Sequence, residues 1–291
     1  MSLQDKTLLV AITLGGIPSA KLDKDTTSFV LRTQNAEDEA GRWTARLWPK
    51  EALEPIRSMD SRIRSYHYSK TLPWLDNGHR IIASRIFTEY SDALRSLRVE
   101  RENTVLGFLD HYDSWIDRAR FMRGSAFDLD EYPSRLKAQR KFRFDIHAEP
   151  VPCATDFRVN LDAPDMARIA AELDERVADA ERSARRDLCG RIAGPVASLL
   201  ERLSDPDSRI TDATLNAVRD LCDRIPDLNI WDDPAIDALR DRIAVGLATL
   251  RPESLKSSRS DRDRAAGKAS SILASMAPWM KDEPDEVEAA A

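Results

Sequence analysis

Glycine is scarce in this sequence, 10 of 291 residues, where an average chain would carry about 7%. Few tight turns are available, and little backbone is free to wrap a phosphate. Cysteine is scarcer still. Cys153, Cys189 and Cys222 are odd in number, far apart and without a CxxC pair, which excludes a disulfide framework or a zinc knuckle and suits reduced thiols packed as small hydrophobes. Long apolar runs are missing too. The longest, LLVAI at residues 8–12, falls far short of the ~20 residues that span a bilayer. The opening MSLQDK has none of the apolar body of a signal peptide. Positive charge is not in excess either: the formal net charge is −6, so no global field draws polyanions, and any nucleic-acid contact must be local. These absences predict a soluble cytoplasmic protein with no membrane role.

What the chain does have is charge and helix formers. Charged residues reach 32% and hydrophobic residues 42%, with abundant Ala, Leu, Arg and Glu, which favours a mainly α fold. The first 48 residues form the exception. Residues 8–13 are apolar and β-branched and read as a strand, broken by Gly15-Gly16-Ile17-Pro18, and RWTARLW (residues 42–48) alternates two faces as a second strand that would pair with it. Residues 23–40 read as a polar connection.

From Pro49 the period changes. Leu53, Ile56, Met59, Ile63 and Tyr66 fall on one helical face. After the loop TLPWLDNGHR, a stripe of Ile86, Tyr90, Leu94, Leu97, Val105, Leu109, Tyr112 and Ile116 predicts a helix running to Met122, with its intervening charges exposed. A second long helix starts at a cap, Asp162, with Pro164 in its first turn, and repeats Met166, Ile169, Leu173, Val177, Ala180, Ala184, Leu188 and Ile192. Gly194-Pro195 should kink or interrupt it. Three shorter helices follow, one of them opened by Asp233-Pro234. Residues 281–291, with five acids and three terminal alanines, read as a disordered tail.

Between the long helices lies RLKAQRKFRFDIHAEPVP. Arg135, Lys137, Arg140, Lys141 and Arg143 place five basic residues in nine positions without an acid, and residues 135–141 allow one or two helical turns. Phe142, Phe144 and Ile146 then alternate with charges, and after the prolines Phe157, Val159 and Leu161 do the same, which predicts a hairpin over about 142–161. The charges at every second position exclude a membrane tongue. The basic residues are candidate phosphate contacts beside two aromatics, or a solvated edge.

No catalytic or metal motif stands out. His67, His79, His111 and His147 are scattered, and Asp110-His111-Tyr112-Asp113 cannot converge on one ion when neighbours on a helix point about 100° apart. The GKAS at residue 267 resembles the end of a phosphate loop, but Arg262 stands where that loop needs its first glycine. No nucleophile elbow is present. The expectation is no enzyme, no metal and no cofactor. Trp74 and Arg80 flank an Asn-Gly turn and form a candidate contact loop, or an anchor of that loop onto the helices.

TLPWLDNGHR, FDLDEYPSRL and FRFDIHAEPVP with DFRVNL together resemble an uncharacterised family of bacteriophages, prophages and integrative elements. Its members are often encoded near a MoxR-like AAA+ ATPase and a cobaltochelatase-like protein with a von Willebrand factor A domain. The resemblance covers roughly residues 43–280, is carried mostly by Tyr132-Pro133 and Pro150-Val151-Pro152, and brings no catalytic residues. It implies a bacterial host cell as the setting and the ATPase as a partner.

These readings divide the chain into a β-containing segment (1–48), an elongated helical domain with a hairpin (49–280) and the tail (281–291). The expected function is a non-enzymatic assembly or adaptor protein of a mobile element. It would act through helix faces, coiled-coil contacts and the hairpin, as a homo-oligomer or with a protein partner. The alternative is nucleic-acid binding by residues 135–143.

Overall fold

Apolar stripes of helical period become helices along most of the computed structural model, which describes residues 3–75, 78–152 and 162–280. The fold is mainly α, 71% helix with a small antiparallel sheet. In chain order the elements are α1 (Leu3–Lys6), β1 (Thr7–Leu14), β2 (Ala20–Leu22), α2 (Lys24–Thr33), β3 (Thr44–Arg46), α3 (Lys50–Lys70), β4 (Leu72–Pro73), β5 (Arg80–Ala83), α4 (Phe87–Asp110), α5 (Tyr112–Arg123), α6 (Arg135–Lys141), β6 (Phe144–Pro150), α7 (Ala163–Ser204), α8 (Asp212–Leu228), α9 (Pro234–Ile243), α10 (Pro252–Ser257) and α11 (Arg259–Met280).

The chain folds into two compact units that interleave in sequence. The first comprises the residues up to Ala11, Tyr68–Tyr90 and His147 onwards. The second comprises Ile12–His67 and Ser91–Ile146.

In the first unit α7 packs along α8 and α11. Its cap is Asp162, whose side chain accepts a hydrogen bond from the Asp165 amide at 3.0 Å. Ala180, Ala184, Leu188, Ile192, Val196, Leu199 and Leu203 form its buried face. The helix is not interrupted at Gly194-Pro195, one of the two outcomes expected there. Proline costs about 3 kcal/mol inside a helix, but Ile192, Val196 and Leu199 around it are at most 1% exposed. Each such side chain contributes about 1.5–3 kcal/mol, so tertiary burial outweighs the local penalty. Arg262, in place of a phosphate-loop glycine, closes the far end of α7. Its guanidinium donates to the carbonyls of Arg202 and Leu203 (2.8 Å), which the helix C-terminus leaves without partners, and to those of Asp205 and Ser208 (3.1 Å) in the turn that follows.

The sheet order is β4-β5-β1-β6. Thr7–Val10 of β1 pair antiparallel with β5, Leu9 opposite Ile81, and β4 pairs antiparallel with β5 on its other side. The loop TLPWLDNGHR therefore contains one short strand, β4, and its last residue, Arg80, begins another, β5. RWTARLW does not pair with β1. Its central part, β3, pairs with β2, Ala20 opposite Arg46, because the Gly15–Pro18 loop redirects the chain into a second short strand. The polar connection after it contains α2, capped by Asp23, which accepts from the Thr26 amide at 2.9 Å.

In the second unit Trp48 is the centre of an aromatic cluster, with ring centroids 5.5 Å from Phe108, 5.5 Å from Tyr112 and 4.9 Å from Tyr132. The long stripe expected from Ile86 to Met122 divides at His111 into α4 and α5. At this break Tyr112 enters the cluster, and its hydroxyl donates to the Pro133 carbonyl. Burial pushes the Tyr112 phenol up to about 12.

Tyr132, central to the phage-family resemblance, is buried, and its hydroxyl donates to the Leu47 carbonyl at 2.6 Å. The preceding Glu131 accepts from Lys21 at 2.8 Å and from Arg123. These bonds, Lys21 first, hold its carboxyl below the ordinary value of 4.5. A lowered carboxyl contributes stability that is complete above the unfolded-state value and lost as pH falls through the folded value. Glu131→Gln should therefore flatten the loss of thermal stability on acidification below pH 4.5. Identical melting profiles for the two proteins between neutral and acid pH would show that the clasp contributes nothing.

Candidate functional site

Arg101 organises the surroundings of the basic stretch. It lies on α4 and is 1% exposed. Its Nε donates to Asp60 Oδ1 of α3 at 2.6 Å, one terminal nitrogen donates to the Gly15 carbonyl at 2.7 Å, and the other donates to the Phe142 carbonyl at 3.1 Å. One guanidinium thus binds together α3, the loop after β1, and the junction of α6 with β6. The Gly15 amide closes the same junction by donating to the Arg143 carbonyl at 2.8 Å. Glycine is required here: a Cβ at residue 15 would stand 2.4 Å from the Lys141 carbonyl oxygen and 2.8 Å from Arg143 Cγ.

A groove of about 690 Å³ opens beside this junction. Leu53 and Ile56 lie in its lining with Gly15, Gly16, Phe142, Arg57, Asp60, Ser61 and Arg64. Asp60 is the carboxylate of the groove, and Arg101 already holds it. Arg57 and Arg64 are exposed and make no ion pair among the described residues. The groove is therefore positive, from residues that sequence patterning assigned only to the outer face of a helix.

The basic stretch itself begins as α6, capped by Ser134. Arg135, Lys137, Arg140, Lys141 and Arg143 are all exposed. Arg135 pairs with Asp110 at 3.2 Å and Arg143 approaches Asp145 at 3.9 Å. Lys137, Arg140 and Lys141 fall within one arc of α6, away from the buried Ala138, and make no ion pair among the described residues.

The aromatics of the expected hairpin are largely spent on packing. Phe142 is half-buried with its ring centroid 5.8 Å from Phe108. Phe144 is 7% exposed under the Arg98 guanidinium, which lies 5.3 Å from its ring centroid. Ile146 is half-buried on β6. Phe157 and Val159 lie outside the described residues. Aspartate at 142 or 144 would therefore report on folding before it reported on association.

The Trp74 loop is likewise packed. Trp74 is 1% exposed in the core of the first unit. Arg80 donates through Nε to Thr71 Oγ1 at 2.7 Å and through a terminal nitrogen to the Thr71 carbonyl at 2.9 Å, with its guanidinium 4.8 Å from the Tyr68 ring centroid.

Among the described residues no group of three or more His, Cys, Asp or Glu could hold a metal ion. No helix among them is long and apolar enough to cross a membrane. His79 faces Glu149 at 3.1 Å, and His111 sits at the break between α4 and α5. Cys189 and Cys222 are free and buried, and burial pushes both thiols up, away from the reactive thiolate. Neither a family model, nor a curated protein, nor a solved structure matches this chain.

Proposed function

We propose that the protein is a non-enzymatic adaptor of a phage or related mobile element, working by protein–protein contact. The observation that carries this reading is Phe121, which is 93% exposed near the end of α5, beside Met122 at 44%. Burying a phenylalanine side chain is worth about 1.5–3 kcal/mol, and here that gain is forgone in the free chain. The two side chains border a groove of about 600 Å³ with Pro49 and a rim of Arg46, Lys50, Glu51, Asp117 and Arg118. An apolar centre within a mixed-charge rim is the anatomy of a protein-binding patch. The partner in this reading is the MoxR-like AAA+ ATPase that the resemblance supplies, or a second copy of the chain. A hairpin completed beyond β6 belongs to the same proposal as a further contact surface.

Phe121→Asp should leave the melting temperature unchanged, because the side chain has little packing to lose. It should abolish self-association in light scattering, or retention of a MoxR-like AAA+ ATPase in a binding assay with both purified proteins. Unchanged mass together with unchanged retention removes Phe121 and the reading that rests on it.

A second reading, nucleic-acid binding through residues 135–143, is favoured by one observation: Lys137, Arg140 and Lys141 share an exposed arc of α6 without a carboxylate partner among the described residues.

A further inference from the structure

We infer that the groove between α3 and the Gly15-Gly16 loop is a binding site for a single strand of nucleic acid. Its phosphates would meet Arg57 and Arg64, and one unpaired base would meet Phe142. The inference deepens the second reading and moves the phosphate contacts from α6 to arginines of α3, far from it in sequence.

Four features of the groove carry it. Arg57, Ser61 and Arg64 repeat at i, i+4 and i+7, which puts two guanidiniums and a hydroxyl on one face of α3, the outer pair about 10 Å apart along the axis. That separation exceeds one phosphate group and suits a chain of them. Asp60, which would repel phosphate, is neutralised by the buried Arg101 at 2.6 Å, so Arg57 and Arg64 act without an opposing charge. Arg143 stands beside the groove rather than in its lining, its Cγ against Gly15 and its Nε 3.9 Å from Asp145, and adds positive charge at the edge.

The fourth feature is aromatic. The Phe142 ring lines the groove beside Gly16, where a Cβ would come within 3.7 Å of the ring. A flat apolar surface recessed between cations is reached by an unpaired base and not by the stacked interior of a duplex. Cationic tracks with an aromatic platform are how sequence-tolerant single-strand sites are built.

The test is fluorescence anisotropy with a short labelled oligothymidine across a salt series, using the full chain, Arg57→Glu/Arg64→Glu, and Lys137→Glu/Arg140→Glu/Lys141→Glu. The wild type should bind with an affinity that falls with salt, at a log–log slope of about −0.7 per phosphate neutralised. The α3 pair should weaken binding about tenfold or more and make the slope shallower by about 1.4, two phosphates' worth. Its melting temperature should not move, since both arginines are exposed. If the glutamate pair fails to fold, Arg57→Gln/Arg64→Gln takes its place.

Equal binding by the α3 variant, with loss confined to the α6 variant, overturns the groove and leaves the second reading standing. No binding by the wild type at low salt overturns both. Competition by a nucleoside triphosphate as strong as that by unlabelled oligothymidine overturns the strand and identifies a mononucleotide site.

Discussion

Arg101→Ala is expected to destabilise the second unit by about 3–5 kcal/mol, the cost of removing one partner from a buried ion pair. Asp60, on a side chain 17% exposed, would lose its counter-ion. The carbonyls of Gly15 and Phe142 would lose their donors. Lysine should not restore stability. A single ammonium cannot aim at a carboxylate and two carbonyls on three different segments, whereas the planar fork of arginine does so. Asp60→Asn keeps an acceptor for Arg101 and should cost less than either change. Urea denaturation of the three variants gives the ranking through the shift in midpoint at constant m. A loss below about 1 kcal/mol for Arg101→Ala, the range of an exposed ion pair, would reduce the residue to a surface charge and leave the junction without its organiser.

The second large effect is expected at Trp74. Removing the ring from a site 1% exposed should cost about 3–5 kcal/mol. Trp74→Phe should cost less than half as much as alanine, because it keeps most of the buried aromatic surface and leaves a smaller cavity. The indole nitrogen is buried and makes no hydrogen bond among the described residues, so phenylalanine removes an unsatisfied donor while it gives up volume. If the loop were a contact surface, the pattern would reverse. Alanine would then leave the melting curve in place and abolish partner binding, and that outcome would overturn the packing role assigned to Trp74.

The two cases show where sequence and structure part company. Trp74 stood in a loop rich in turn residues, and its composition spoke equally for an exposed contact and for an anchor. Burial decided the matter, and burial depends on α7, α8 and α11 arriving from much later in the chain. Arg101 left a readable trace. It occupies the position between Leu97 and Val105 in the stripe of α4, four residues from each, so that a charge interrupts an otherwise apolar face. Periodicity alone assigned it to the exposed side with its neighbours. A charged residue in phase with the stripe was the available signal, and it points to a buried partner carboxylate.

Helix starts were the most legible features. Asp162 and Asp233 cap α7 and α9 where their spacing to proline predicted, because a cap is a local chemical event. The continuation of α7 through Pro195, the short strands β4 and β5 and the pairing of β3 with β2 were not legible, because tertiary partners decide each of them. The groove belongs to the same class. Arg57, Arg64, Gly15 and Phe142 come from three separated segments, and only the fold makes them neighbours.

The interleaving of the two units also imposes an order on synthesis. A ribosome finishes the second unit when it passes Ile146, with about half the chain still unmade. At that moment the apolar strand at the N-terminus and the segment Tyr68–Tyr90 have emerged, but the helices that cover them have not. Leu9, Leu72, Trp74 and Ile81 must wait for partners on α7 and beyond, and strands left open in this way are aggregation-prone. Removing the helices from α7 onwards thus deprives the first strand of its cover, although that strand is made at the very start of synthesis.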